Sequence, residues 1–153
     1  MFERFTKDAR RIVEDAVEVA WELSAPTVEA EHLLLAAARH EGPVPTVLRR
    51  HEVDFDELVE ALRAETSRSL AAVGVSAEPI AFSPPVQRPR LATSAKWALE
   101  LSLRIALERA DRRIGTGHVV LAILRAQRGT VPRALQIAGV DRDELTAAVS
   151  AAT

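Results

Sequence analysis

The strings Val53-Asp54-Phe55-Asp56-Glu57-Leu58 and Val140-Asp141-Arg142-Asp143-Glu144-Leu145 are one pattern written twice. Just upstream, Gly42-Pro43-Val44-Pro45 falls on Gly129-Thr130-Val131-Pro132 at the same offset of 87. Before one inserted residue the offset is 86, and it sets Ala9 on Ala95, Glu14 on Glu100, Ala20 on Ala106 and Glu22 on Glu108. It also sets His32 on His118, Leu35 on Leu121, Ala36 on Ala122 and Arg39 on Arg125. Residues 5–62 therefore lie on residues 91–149 as an internal duplication.

Each copy reads as four helices. In Asp8 to Leu23, apolar residues at Ala9, Ile12, Val13, Ala16, Val17, Ala20 and Leu23 follow helical spacing. Thr6 is the expected N-cap, and Asp8 suits the positive end of the helix dipole. The second copy of this helix, Ser94 to Glu108, keeps the stripe. A second helix over about Glu29 to His40 should stop at Gly42, and its copy over about Gly117 to Arg128 at Gly129. Short third helices are expected near Val44–Arg50 and Val131–Ala138. Asp54 with Glu57, and Asp141 with Glu144, have capping-box spacing and open the fourth helices. Between the copies, 74–90 holds Pro79, Pro84, Pro85 and Pro89 and reads as an extended linker. The division is thus repeat one over 2–73, linker over 74–90 and repeat two over 91–151. Neither copy has enough core alone, so the expected fold is all-α, two four-helix repeats packed as one pseudo-twofold helical domain.

Composition narrows the function. The chain has 153 residues, a net charge of −2, 48% hydrophobic and 27% charged residues, a mixture typical of globular proteins. The absence of cysteine excludes disulfides, thiolate zinc sites, iron–sulfur clusters and cysteine nucleophiles. A near-neutral balance speaks against nucleic acid as a partner. The longest apolar runs, Leu33–Ala38 and Val119–Leu124, fall far short of the ~20 residues that span a bilayer. With no signal-peptide core at the N-terminus, no membrane association and a cytoplasmic location are expected.

Motifs for catalysis are missing. The sequence contains no Walker-type phosphate loop, no Gly-x-Ser-x-Gly elbow and no His-Glu-x-x-His zinc helix. Gly115-Thr116-Gly117 begins like a dinucleotide fingerprint, but Val120 stands where the third glycine belongs and a helix-entry turn explains it. His32 and His118 are repeat equivalents. They read either as structural histidines bonding a neighbouring loop or as a pair meeting near the axis, without an evident third metal ligand. The pairs Arg10-Arg11, Arg49-Arg50 and Arg112-Arg113 read as solvated helix faces diluted by nearby acids. No enzyme, cofactor or metal is expected.

Phe2-Glu3-Arg4-Phe5-Thr6 with Ala9-Arg10, Glu31-His32-Leu33-Leu34-Leu35, and Ala95-Lys96 with Leu99-Glu100-Leu101-Ser102-Leu103-Arg104 resemble the Clp N-terminal domain. The resemblance covers nearly the whole chain and is nearest in flavour to ClpC. It implies a non-catalytic module that receives substrates and adaptors for an AAA+ ring feeding the ClpP protease. No ATPase follows in this sequence, so a free-standing Clp-repeat protein is expected over an excised domain. Such a receptor could deliver clients to the ClpC ring, or act as a decoy that sequesters marked proteins or antibiotics from it.

The resemblance also implies ligands. ClpC-type domains resemble phosphoarginine readers with one pocket per repeat, where a carboxylate can pair with the guanidinium and a threonine lies near the phosphate. Repeat one carries Thr6, Glu31 and His32 at the matching positions, with Glu29-Ala30 in place of Gly-Thr. In repeat two, Ala92 replaces the threonine and Gly117 the glutamate, and only Thr116 and His118 match; that pocket is expected to be dead. Glu31 also reads simply as a first-turn acid favoured by the dipole. By the same resemblance, Phe2, Phe5, Leu91 and Lys96 mark a surface for peptides or cyclic-peptide antibiotics, Leu91 standing where the family has phenylalanine. Phe2 reads equally as an apolar cover over the first helix.

Overall fold

The computed structural model describes residues 2–76 and 87–153. Most of the expected linker, residues 77–86, lies outside the described residues. A 3-10 turn at Phe2–Arg4 leads into α1 (Lys7–Glu22), β1 (Thr27–Val28), α2 (Ala30–Arg39), α3 (Pro43–Arg50) and α4 (Phe55–Ala72). Then follow β2 (Arg90–Leu91), α5 (Thr93–Glu108), α6 (Thr116–Arg125), α7 (Thr130–Ile137) and α8 (Arg142–Ala152). Helix for helix, the two halves correspond.

Local chemistry sets the boundaries. Thr6 caps α1 by accepting from the Ala9 amide at 3.2 Å. Asp54 and Asp141 cap α4 and α8 by accepting from the amides of Glu57 at 2.8 Å and Glu144 at 3.1 Å. The third helices start after Gly42 and Gly129, at φ of 129° and 112°, a backbone region that favours glycine. At the ends of α1 and α5, Ser24 (φ 57°) and Ala110 (φ 59°) take the left-handed turn instead. There the Ala25 and Asp111 amides reach back to the carbonyls of Ala20 and Ala106, each at 2.8 Å. Equivalent residues adopt equivalent strained turns.

The apolar runs of the sequence form the centre. Leu33 to Ala38 of α2 are all buried, as are Val119 to Leu124 of α6. A helix apolar all round belongs inside a bundle. Helix α1 lies on α2 and α5 on α6, while α2 and α6 meet across the pseudo-twofold. The fourth helices cross over: α4 packs against α7 of the other copy, and α8 against α3.

Two short strand contacts, absent from the sequence reading, also stitch the copies together. Thr27 and Val28 pair in parallel with Arg90 and Leu91. Their symmetry mate is a parallel bridge between Phe5 and Ile114. A two-residue strand carries no periodicity, so only the fold reveals it.

Candidate functional site

Because each repeat donates a strand edge to the other, the helix N-termini meet across the junction rather than within a copy. Two clefts result. The first, about 870 Å³, lies between the start of α2, the start of α5 and the turn from α6 into α7. Glu29 and Glu31 line it together with Ser94, Trp97, Ile123 and Val131, among others. The second, about 450 Å³, sets Thr6 and Asp8 beside Gly115-Thr116-Gly117-His118 and Thr153.

This geometry corrects the grouping expected from sequence. Thr6 and Glu31 do not share a pocket: Thr6 lies in the second cleft beside Thr116, Gly117 and His118, and Glu31 in the first. The Thr6 amide donates to the Ile114 carbonyl at 2.9 Å, as the Ala92 amide donates to the Val28 carbonyl at 2.9 Å. Ala92 is thus the symmetry mate of Thr6, and it is the N-cap of α5, whose first residues Thr93 and Ser94 line the first cleft with Glu31. The first cleft thus has Glu31 without Thr6, and the second has Thr6 with Gly117 at the place of the glutamate.

At Gly117 the vacancy is filled. A Cβ built there would lie 2.1 Å from Thr153 Oγ1, so the end of α8 takes the space that a side chain at 117 would occupy. Arg109 holds this end by donating to the Ser150 hydroxyl at 2.9 Å and to the carbonyls of Ser150 and Thr153, each at 3.4 Å.

The histidines are caps. His32 is buried, and its Nδ1 accepts from the Glu29 amide at 2.8 Å; His118 Nδ1 accepts from the Gly115 amide at 2.9 Å. With Nδ1 accepting, the proton sits on Nε2, which in His118 donates to Asp111 at 2.8 Å. Burial pushes His32 down to about 4, against the pull of Glu29, so the ring is neutral and remains a cap. The hydrogen bonds from His118 and Arg109 hold the Asp111 carboxyl below its ordinary value. Replacing His32 with leucine should lower unfolding stability in urea by about 1–2 kcal/mol, whereas glutamine, which can also reach the N-cap amide, should keep most of it. Equal loss in both variants would show that ring packing matters more than the cap.

The two glutamates of the first cleft differ sharply. Glu29 is engaged: it accepts from Thr27 Oγ1 at 3.0 Å and from Ser94 Oγ, whose oxygen in turn accepts from the Ala30 amide at 2.9 Å. Glu31 takes part in no salt bridge among the described residues. Burial pushes its carboxyl up to about 7, with further contributions from the negative charges of Glu29 and Glu65. Glu31 is therefore a half-buried carboxyl of the first cleft with no side-chain hydrogen bond or salt bridge among the described residues. Beside it Trp97 is 44% exposed. Trp97 carries no motif in the sequence; its position off the apolar stripe of α5 is the one signal for it.

The remaining surface residues separate. Phe5 is 1% exposed and belongs to the core, which corrects its expected place on a peptide-binding surface; its strand bridge to Ile114 draws it inward. Leu91 is half-buried as the strand partner of Val28. Phe2 stays exposed, its ring tilted against that of Phe5 with centroids 5.2 Å apart. Lys96 is exposed on α5 and lines neither cleft. No three histidine, aspartate or glutamate side chains among the described residues converge to hold a metal. No helix among them is long and apolar enough to cross a membrane.

The Clp repeat (R) N-terminal domain family matches the chain twice, over residues 4–89 and 90–153. An uncharacterized protein of Mycobacterium tuberculosis is 32% identical over 147 residues, 95% of this chain and 52% of that protein. The ClpC ATP-binding subunit of the Clp protease of Staphylococcus aureus is 27% identical over 134 residues, 87% of this chain and 15% of the subunit. The chain thus spans about half the length, or far less, of the curated relatives it matches. The N-terminal domain of the chaperone ClpD from Arabidopsis thaliana superposes with a TM-score of 0.72 at 21% identity, covering 99% of this chain and 98% of that domain. The Hsp104 N-terminal domain of Candida albicans gives 0.65 at 21% identity, over 96% and 89%.

Proposed function

Given that this chain belongs to the Clp repeat N-terminal domain family, we propose that it is a non-catalytic receptor for substrates or adaptors of a ClpC-type unfoldase, binding peptides in the cleft between its repeats. The observation that carries the reading is the first cleft itself. It has the volume of a ligand site, a mostly apolar lining with Trp97 open to solvent, and one half-buried carboxyl, Glu31, that has neither a side-chain hydrogen bond nor a salt bridge among the described residues. An extended peptide fits that chemistry when an apolar side chain meets Trp97 and a basic one pairs with Glu31. Aromatic anchors in desolvated pockets carry much of the energy at such contacts.

Phosphoarginine is the more specific version. Glu31 supports it, since a carboxylate suits a guanidinium. Against it, Glu29 brings a second negative charge to the first cleft, and the threonine expected near the phosphate stands in the other cleft. We favour an unmodified basic–apolar peptide. The exposed Phe2 remains the candidate anchor for a cyclic-peptide antibiotic, now without Phe5 beside it at the surface.

Calorimetry and tryptophan emission test this directly. An unstructured peptide of arginine and leucine should release heat and shift the emission, and Trp97→Ala or Glu31→Gln should each weaken binding by about tenfold. Phosphoarginine and a ClpC-directed cyclic peptide are titrated in parallel. Tighter binding of phosphoarginine, lost in Glu31→Gln, would replace the unmodified peptide as ligand. A peptide that gives neither heat nor a change in emission overturns the cleft as receptor.

A further inference from the structure

The arginine pairs Arg10-Arg11 and Arg112-Arg113 look like separate solvated faces in the sequence. The fold brings them together. Lys7, Arg10 and Arg11 of α1 and Arg113 of the second repeat line one hollow of about 580 Å³, with Glu14 as the single acid. Four cations therefore face one carboxylate in a shared space. All four are exposed, and none takes part in a salt bridge among the described residues.

Two of these guanidinium groups are held by backbone carbonyls instead of by acids. Arg10 donates to the carbonyls of Phe2 at 3.1 Å and Glu3 at 3.4 Å, and Arg113 donates to that of Phe5 at 3.2 Å. Carbonyls fix their positions without neutralising their charge. Arg4 likewise spans to the carbonyls of Asp111 and Arg112, each at 3.3 Å, so this corner is a rigid junction of the two repeats. The exposed Phe2 ring sits at its edge.

The duplication shows that the charge is not demanded by the fold. At the symmetry-related place, Arg11 is matched by Trp97, Lys7 by Thr93 and Arg113 by Thr27, and only Arg10 keeps a cation, as Lys96. Of the matching residues, Trp97 and Thr93 line the first cleft, whereas Arg11 and Lys7 line the basic hollow.

We propose that the hollow of Lys7, Arg10, Arg11 and Arg113 is a second docking surface, which takes an acidic segment of a protein partner. Carboxylates of such a segment would pair with the converging guanidinium groups, and an apolar neighbour would cover Phe2. A nucleic-acid strand fits less well. Its phosphates need cations spread along a track, whereas these converge on one space with Glu14 among them, and the rest of the chain is more acidic than basic.

The probe is a fluorescein-labelled polyglutamate peptide ending in phenylalanine, followed by anisotropy, with amide shifts mapped by NMR. Binding should be seen at low ionic strength and fade as the Debye length falls from ~30 Å at 0.01 M to ~8 Å at 0.15 M salt. The shifts should cluster on the first turns of α1 and around Arg112–Ile114. Lys7→Glu with Arg11→Glu should weaken binding by about tenfold. Neither side chain makes a hydrogen bond among the described residues, so the fold should be unaffected, as circular dichroism would verify. The charge-matched pair Arg63→Glu with Arg68→Glu on α4 should bind as the parent does. Equal loss in both double variants would reduce the effect to net charge and overturn the proposal, as would the absence of binding. A single-stranded oligonucleotide that binds the hollow more tightly than the peptide would overturn it in favour of nucleic acid. None of these outcomes depends on the Trp97 cleft.

Discussion

Replacing Arg133 with alanine is expected to lower stability by about 2–3 kcal/mol, although the side chain is more than half exposed. The reason lies in its partner. Glu65 is 5% exposed on α4, and its Oε1 accepts from Arg133 Nε of α7 at 2.8 Å and from the Ser69 hydroxyl at 2.6 Å. Removing Arg133 leaves a carboxylate inside the crossover with one hydroxyl for company. Desolvation without compensation is costly, and losing one member of a buried pair typically costs more than the pair contributes. The exposure of Arg133 keeps the figure below the range for fully buried pairs. Because α4 and α7 belong to different copies, the loss falls on the junction of the repeats. Adding Glu65→Leu to Arg133→Ala should restore most of the stability by removing the stranded charge. Urea unfolding of the two single variants and the double variant forms the test. A double variant no more stable than Arg133→Ala would show that packing at Glu65, not its charge, is at stake.

Arg133 and Glu65 also show where sequence reading stops. The duplication, the helices and the caps at Thr6, Asp54 and Asp141 were legible because they rest on local spacing and on comparison of the chain with itself. Pairing across the pseudo-twofold was not. A period of 3.6 marks the buried face of α4 but does not say whether it turns to its own repeat or to the other. Hence the family resemblance, with one pocket per repeat, puts Thr6 and Glu31 together. The strand pairs Phe5 with Ile114 and Val28 with Leu91 do the opposite, setting each helix N-terminus against the other copy. The resemblance implies a surface place for Phe5, whereas the same bridge sets it in the core. Thr153, which fills the space at Gly117, had no counterpart in the aligned repeats and gave no signal at all.

The second large effect is a gain. Glu31→Gln should stabilise the protein at pH 8 by about 2 kcal/mol while weakening the proposed peptide site. In the folded protein the Glu31 carboxyl is pushed from 4.5 up to about 7, chiefly by burial. Between those values the folded state holds a proton that the unfolded chain releases, so this group's contribution falls as pH rises through 4.5 to 7. His32, next in the chain, runs the other way. It is pushed from 6.5 down to about 4, so the unfolded chain binds the extra proton and stability rises with pH between 4 and 6.5. Over their shared window the two slopes oppose, and the parent profile is flattened there. Removing the Glu31 charge exposes the His32 slope. The variant-minus-parent difference should be near zero below pH 4.5 and grow to its full value near pH 8. The full shift would correspond to roughly 3 kcal/mol, and the partial exposure of Glu31 brings the expectation down to about 2. Glu65 lies within electrostatic reach of Glu31 and helps to raise it, so stripping Glu65 of Arg133 should enlarge the gain from Glu31→Gln, a non-additivity that a double-mutant cycle reads directly. A Glu31→Gln protein no more stable than the parent at pH 8 would mean that the cleft solvates this carboxylate fully. Its place as the receptive acid of the site would then be lost, because a solvated carboxylate gains little from meeting a basic side chain.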